Sequence, residues 1–444
     1  MQLKARVAYL KNHWFVRQAA VLQFGTTLGN IIQAIISILL ARALDPDRYG
    51  VYALAMSLAS LLSIVLASGF QEAASSLLGA SYARKNNEEI NEILSFYTKL
   101  ILYSILITFA VMIAAPFISE ILYGNKTIGY YALIVVAASL ISSTLFSITT
   151  VSLQITGEIR LMSLLMVTDL TVRWGLSLLL VYLGYGIWGA VAGHLIGAVI
   201  IFLVASVVWH TFLKRHQIFP TFKKIFSILG SVPMKKYLGF SFLIAIDRNV
   251  AMLYFILPVI MAGIYISATE VGYFKLAFGY INLAMTILVP VSVLLNVVFP
   301  KMKVGEEKNL RKNFIKVSVY STVISFLVTI AIVLASTFAF RFIYGENFLP
   351  SVRYVWGLFI YGALFGIGVG LGPMWRALNR VKVSILINTL VLIVGIPLSL
   401  FLMSRLGGWG AVISVTFLVT VSHLISFIYL VRNIPLSSVE AQKN

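Results

Sequence analysis

Asp169 and Arg173 stand four residues apart in a stretch of sequence that is otherwise apolar. On a helix that spacing puts a carboxylate and a guanidinium on one face. They can neutralise one another, or the guanidinium can hold a second anion through two parallel N–H donors. A second charged pair, Asp247 and Arg248, is adjacent in sequence. Helical neighbours project about 100° apart, so these two pair less easily along their own helix. Lys275 is a lone ammonium in another apolar window, and His194 and His423 place two imidazoles in others. The chemistry these residue types offer is the binding of anions by Arg173, Arg248 and Lys275, flanked by Asp169 and Asp247. His194 and His423 could carry protons or couple to an ion near neutral pH, or could simply be hydrogen-bonded packing residues.

The elements that must position these groups are set by composition. Of the 444 residues, 60% are apolar and 11% charged, and the mean hydropathy is +0.96. A water-soluble fold needs far more polar surface than this. A hydrocarbon core about 30 Å thick takes roughly 20 apolar residues per helix, and runs of that length recur along the chain. Twelve membrane spans are predicted, at 17–41, 49–70, 95–118, 128–151, 161–183, 187–209, 237–262, 271–299, 314–341, 352–374, 383–403 and 409–431. The chain is therefore expected to be an all-α polytopic membrane protein. The first run is longer than a signal-peptide core and lacks a small-residue cleavage site, so it is expected to stay as a helix.

A net charge of +19 invites a nucleic-acid reading until its placement is considered. With the N-terminus inside, 25 of the 34 Lys and Arg fall in or beside inner loops and 6 in outer ones; Arg173, Arg248 and Lys275 lie within spans. That imbalance is the positive-inside pattern. It predicts a cell-membrane protein with both termini in the cytoplasm, and no nucleic-acid partner. Trp14, Trp188, Trp209, Trp356, Trp375 and Trp409 sit near span ends, as interfacial anchors do.

Charges at mid-span cost roughly 2.5 to 3.5 kcal/mol each on the insertion scale, so they are expected to face one another or a wet interior. Asp169 and Arg173 lie about 12 to 18 Å into the fifth span, and Asp247 and Arg248 about 15 to 17 Å into the seventh. Lys275, four residues into the eighth, could instead snorkel to the surface. Gly366, Gly368, Gly370 and Gly372 alternate ahead of Pro373 inside a span, where a nucleotide loop has no place and a close-packed or bendable helix does. The chain has no cysteine, and no catalytic triad, metal-ligand motif or Walker lysine stands out. No catalytic residue, metal or cofactor is expected.

Offsetting the sequence by 222 residues lays Tyr49-Gly50-Val51-Tyr52 on Val271-Gly272-Tyr273-Phe274, and Leu153 to Gly157 on Trp375 to Asn379. At 221, Leu122-Tyr123-Gly124 meets Ile343-Tyr344-Gly345 and Trp188-Gly189-Ala190-Val191 meets Trp409-Gly410-Ala411-Val412. Six spans per half is even, so the halves are parallel repeats about an axis along the membrane normal. The expected organisation is a six-helix lobe over 1–209, a cytoplasmic linker over 210–236, a second six-helix lobe over 237–431 and a cytoplasmic tail over 432–444. The linker mixes Phe219, Phe222, Ile225, Phe226 and Ile228 with lysines, which suits either an interfacial amphipathic helix or a solvated connection. The mid-span charges have no repeat mates: Arg248 falls on Thr26, Asp169 on Val391 and Arg173 on Gly395.

The stretch Leu40-Ala41-Arg42-Ala43-Leu44, Asp47-Arg48-Tyr49-Gly50-Val51-Tyr52-Ala53-Leu54 and Ser68-Gly69-Phe70, with Gln154-Ile155-Thr156-Gly157, resembles polysaccharide transport proteins. These are the Wzx-type flippases of the multidrug/oligosaccharidyl-lipid/polysaccharide superfamily. The resemblance implies a two-lobed MATE-like fold that moves a polyprenyl-diphosphate-linked oligosaccharide from the inner to the outer leaflet by alternating access. It implies membrane lipids, and a polysaccharide polymerase or glycosyltransferases, as partners. A cation-coupled multidrug exporter of the same superfamily is the rival reading, but it would want unpaired carboxylates, whereas both mid-span aspartates have an arginine nearby. A lipid II flippase is a further alternative that typically carries two more spans. A non-transporting scaffold would leave the mid-span charges without a reason.

Overall fold

A computed structural model describes residues 14–65, 70–216, 218–305 and 307–434. Lys4, Arg6, Lys11, the side chain of Trp14, Ser68-Gly69 and the last ten residues, on which some of the expectations above rest, lie outside the described residues. The described residues are almost entirely helical and contain no strand. In chain order the helices are α1 Trp14–Leu62, α2 Phe70–Ala83, α3 Asn87–Tyr123, α4 Lys126–Ser143, α5 Leu145–Thr156, α6 Ile159–Leu180 and α7 Gly186–Arg215. There follow α8 Phe222–Ile228, α9 Met234–Tyr265, α10 Ala268–Met285, α11 Val289–Gly305 and α12 Glu307–Ala339. The last five are α13 Ser351–Gly357, α14 Phe359–Leu364, α15 Leu371–Ala377, α16 Val381–Leu406 and α17 Gly408–Asn433.

Among the described residues nine helices are long and apolar enough to cross a membrane, and a pair bent by 45° between Ser351–Gly357 and Phe359–Ala377 makes a tenth. Two of the nine are too long for one crossing. Val21–Leu62 has 42 residues and Ile159–Phe212 has 54, roughly 63 and 81 Å at 1.5 Å per residue. The first breaks at Asp45 (φ 62, ψ 162), just before Pro46. The second breaks where Gly184 and Gly186 take φ of 93 and 55. Counted as two crossings each, they restore the twelve expected spans. The second is an antiparallel hairpin: a Cβ on Gly189 would lie 2.9 Å from the Leu180 carbonyl carbon, one on Gly193 2.3 Å from Ser177 N, and one on Gly197 2.7 Å from Arg173 Cα. One number rises as the other falls.

Helix ends follow local chemistry. Asn86 caps α3, its side chain accepting from Glu89 N at 3.1 Å, with Glu88 and Glu89 in the first turn where the helix dipole favours acids. The same helix stops at Gly124 in the left-handed region. Ser267 and Glu270 form a capping pair at the start of α10, with Glu270 N donating to Ser267 Oγ at 3.3 Å.

The repeat seen in the sequence is also a repeat of backbone conformation. Gly186 (φ 55, ψ −137) and Gly407 (φ 54, ψ −127), 221 apart, share a geometry that is essentially closed to side-chain-bearing residues. Gly157 (φ 80) and Asn379 (φ 56), 222 apart, both turn left-handed after the fourth span of their half.

The chain forms two compact units. One holds the described residues of Met1–Leu44 and Leu58–Asn249, the other those of Asp45–Ser57 and Val250–Asn444. The core of the first gathers Tyr97, Trp209, Phe212, Phe219, Ile225 and Tyr237. Its members from 210–236 show that the connection is a packed element. Ser95 Oγ donates to the Ile225 carbonyl at 3.2 Å and Lys99 Nζ to that of Leu229 at 2.9 Å. Glu92 accepts from Lys236 Nζ at 2.9 Å and from the Tyr237 hydroxyl at 2.8 Å. The second unit is built round aromatic rings: Phe274 stacks on Phe278, Tyr354 meets Phe274 edge-on, and Tyr49 meets Phe348 at 6.1 Å and 88°.

Candidate functional site

Asp169 and Arg173 lie one turn apart on α6 and form an ion pair, with Asp169 buried and the Arg173 side chain 23% exposed. The pair does not use all its polar atoms: Asp169 Oδ1 and Arg173 Nε are buried without a hydrogen-bond partner. What positions it is the tight α6/α7 hairpin. Gly193 and Gly197 on α7 let that backbone lie against Ser177 and Arg173, and Ser177 Oγ donates to the Ala190 carbonyl at 2.7 Å. The hairpin also brings in His194, which is buried and meets Trp174 edge-on at 5.0 Å. Asp169, Arg173, Trp174 and His194, scattered over 26 positions, thus become one polar island in an apolar unit.

Asp247 and Arg248 sit in the middle of α9, Arg248 exposed and Asp247 half-buried. Arg248 is fourteen residues past Met234, as Arg173 is fourteen past Ile159, which puts each about 21 Å along its helix. The next residue, Asn249, donates to the carbonyl of Ile64 at 3.3 Å. The division between the compact units falls after Asn249, so Asp247 and Arg248 belong with the first half of α9 to the first unit, and Val250–Tyr265 belong to the second.

Lys275 is half-buried on α10 and makes no hydrogen bond or ion pair with any described residue. With α10 starting at Ala268, it lies farther along its helix than the predicted span start at 271 implied.

His423, on α17, is enclosed. Its Nδ1 is buried without a partner, Phe365 meets it edge-on at 6.3 Å, and a Cβ on Gly368 would lie 2.3 Å from its Cε1. This accounts for the alternating glycines. Gly366 admits the backbone of Ser321 and Gly368 admits His423, while residues Phe365–Gly370 wind tightly as a 3-10 helix.

Several polar groups inside the second unit escaped a search for charges. Tyr361 donates its hydroxyl to Asn282 Oδ1, and Asn282 Nδ2 donates to the Phe278 carbonyl at 2.9 Å. Asn388 accepts from Ser422 through its side chain and from Tyr254, at 2.8 Å, through its carbonyl. Near the Asp47 turn, Glu270 binds Arg353 and Tyr354. Uncharged asparagines in apolar windows were the available signal for the first two.

Comparison with known proteins follows from this architecture. The family described as "Polysaccharide biosynthesis protein" matches residues 39–353. No curated protein matches the chain by sequence. Among solved structures, an inward-facing multidrug resistance MATE family transporter of the MOP superfamily superposes with a TM-score of 0.71 at 15% identity, covering 94% of this chain and 96% of that one. The eukaryotic MATE transporter AtDTX14 gives 0.67 at 16%, covering 97% and 98%. The lipid II flippase MurJ, in an inward closed conformation, gives 0.66 at 19%, covering 96% and 89%. Identities this low establish the fold, which is MATE-like. The family match spans more than half of the sequence and agrees with the motif resemblance at Leu40–Leu54: this chain belongs to the polysaccharide biosynthesis protein family.

Proposed function

We propose that this protein is a flippase that carries a polyprenyl-diphosphate-linked oligosaccharide from the cytoplasmic to the outer leaflet, by alternating access and without covalent chemistry. The observation that carries the reading is the family match, joined to cations held in apolar helices. Arg248 is exposed in the middle of a membrane-length helix, Lys275 has no partner among the described residues, and Arg173 keeps a buried donor unused. A diphosphate crossing the hydrocarbon needs such donors in a wet interior, while its polyprenyl tail stays in lipid. Asp169 and Asp247 temper these cations, and His194 and His423 are the candidates for coupling to protons or another ion. The six-helix lobes at 1–209 and 237–431 are the bodies that rock, with 210–236 joining them. A polymerase or glycosyltransferases would supply and consume the substrate at the membrane faces.

The test is complementation of polysaccharide export at matched membrane protein levels. Each lost charge-assisted contact of about 1.5 to 3 kcal/mol weakens head-group binding by roughly one to two orders of magnitude. Arg248→Lys is expected to be impaired and Arg248→Ala nearly inactive. Wild-type export by the Arg173→Ala, Arg248→Ala double variant would refute the cationic reading and leave both arginines as packing features.

A further inference from the structure

The helix that carries Lys275 has one face that is open at Gly279 and Thr286. Gly272, Lys275, Gly279 and Asn282 on α10, with Thr286 at its C-cap, fall within about 80° of one another at 100° per residue. They form a stripe about 21 Å long. The remaining faces are packed: Phe274 and Phe278 against Tyr354 and Tyr361, and Tyr280 against Phe340 and Tyr344. Along the stripe, Gly279 and Thr286 are exposed, and a Cβ on Gly279 would meet nothing within 4 Å. Asn282 is oriented from behind by the buried Tyr361 hydroxyl and keeps one amide hydrogen uncommitted. At one end the stripe runs into Gly272, whose backbone lies against Pro46 and Gly50.

A face carrying an ammonium without a partner among the described residues, and an amide with a hydrogen to spare, is expensive against lipid. It belongs in water. We propose that this face of α10 is a head-group track, along which the diphosphate and first sugar of the lipid-linked substrate pass, with Lys275 as its phosphate-binding cation, the spare Asn282 amide hydrogen as a donor to the sugar and Thr286 Oγ1, whose own hydrogen goes to the Leu283 carbonyl at 2.6 Å, as an acceptor. The occupant is argued from charge. Lys275 supplies three donors and no acceptor, Asn282 and Thr286 suit hydroxyls, and Gly279 leaves room for a ring. This deepens the flippase reading and rests on it.

The absence of cysteine makes the test direct. Gly279→Cys and Thr286→Cys are placed singly in the full chain, reconstituted in vesicles with a charged, water-soluble thiol reagent on both sides. A thiol reacts as its thiolate, which forms only in water. Both positions are expected to label, while Ala277→Cys, on the buried side of the same helix, is not. A polyprenyl diphosphate is expected to slow labelling of Gly279→Cys. Adding Lys275→Gln should raise the concentration needed by roughly one to two orders of magnitude, and Lys275→Arg should restore protection. Failure of both stripe positions to label would overturn the track. So would labelling that the diphosphate does not slow, or protection that is indifferent to Lys275→Gln. Any of these three results in a protein that still complements export would remove the track and leave the flippase reading standing. A wet, protected stripe in a protein that moves no polysaccharide would remove that reading instead.

Discussion

Gly50 and Gly272 are repeat mates, 222 residues apart, and their backbones touch each other. A Cβ on Gly272 would lie 3.2 Å from Gly50 N and 3.4 Å from Gly50 Cα, and one on Gly50 would lie 1.7 Å from the Ala268 carbonyl oxygen. One turn away, Thr269 donates to Asp47 at 3.2 Å across the same separation of 222. Segments that touch their own repeat equivalents are related by a local two-fold, and only glycine allows so close a crossing. Crosslinking tests whether this crossing parts during transport. Cysteines replacing Asp47 and Thr269 should crosslink, and the crosslinked protein should not support export. Full export from fully crosslinked protein would mean that the crossing never parts.

Filling the crossing should act in the same place without a covalent lock. Gly50→Val is expected to cost about 1 to 3 kcal/mol as overpacking and to lower the Asp47/Thr269 crosslinking yield. An unchanged yield would show that the contact tolerates the bulk.

The Asp169–Arg173 pair should be structural as well as available to a ligand. Arg173→Ala leaves a buried carboxylate unpaired, and losses of about 3 to 5 kcal/mol accompany such changes. The melting temperature in detergent is expected to fall. Asp169→Asn combined with Arg173→Gln should recover much of the loss. If Arg173→Ala melts like the parent protein, the pair contributes no stability.

His423 and Gly368 should compensate for one another. Gly368→Ala places a methyl 2.3 Å from the imidazole and is expected to destabilise. His423→Ala in the same chain should relieve the clash. A double variant no more stable than Gly368→Ala alone would show that the collision lies elsewhere.

Orientation is open to a direct measurement. Reporter fusions after Lys126 are expected to report the exterior and those after Gly305 the cytoplasm. Reversal of either would overturn the positive-inside assignment.

Membrane crossing, the number of spans and the repeat could all be read from the chain itself. Hydrocarbon thickness converts directly into run length, and helical backbone satisfies its own hydrogen bonds, so apolar runs such as Lys126–Ser143 or Val381–Leu406 need no tertiary knowledge to be assigned. Gly186 and Gly407 likewise carry their turn wherever the chain goes. The neighbours of a polar residue were not legible, because those depend on which helices pair and in what register. Thus the four-residue spacing of Asp169 and Arg173 announced their ion pair, whereas the arrival of His194 beside them required the α6/α7 hairpin. The alternating glycines from Gly366 to Gly372 were visible as a pattern, but only the packing of Ser321 and His423 gave the reason. The linker's mixture of phenylalanines and lysines left two outcomes open until Ser95, Lys99 and Glu92 were found to hold it. Lys275 could be named from one letter in an apolar run; that its helix face is open at Gly279 and Thr286 and closed by Pro46 and Gly50 at Gly272 was decided by the fold.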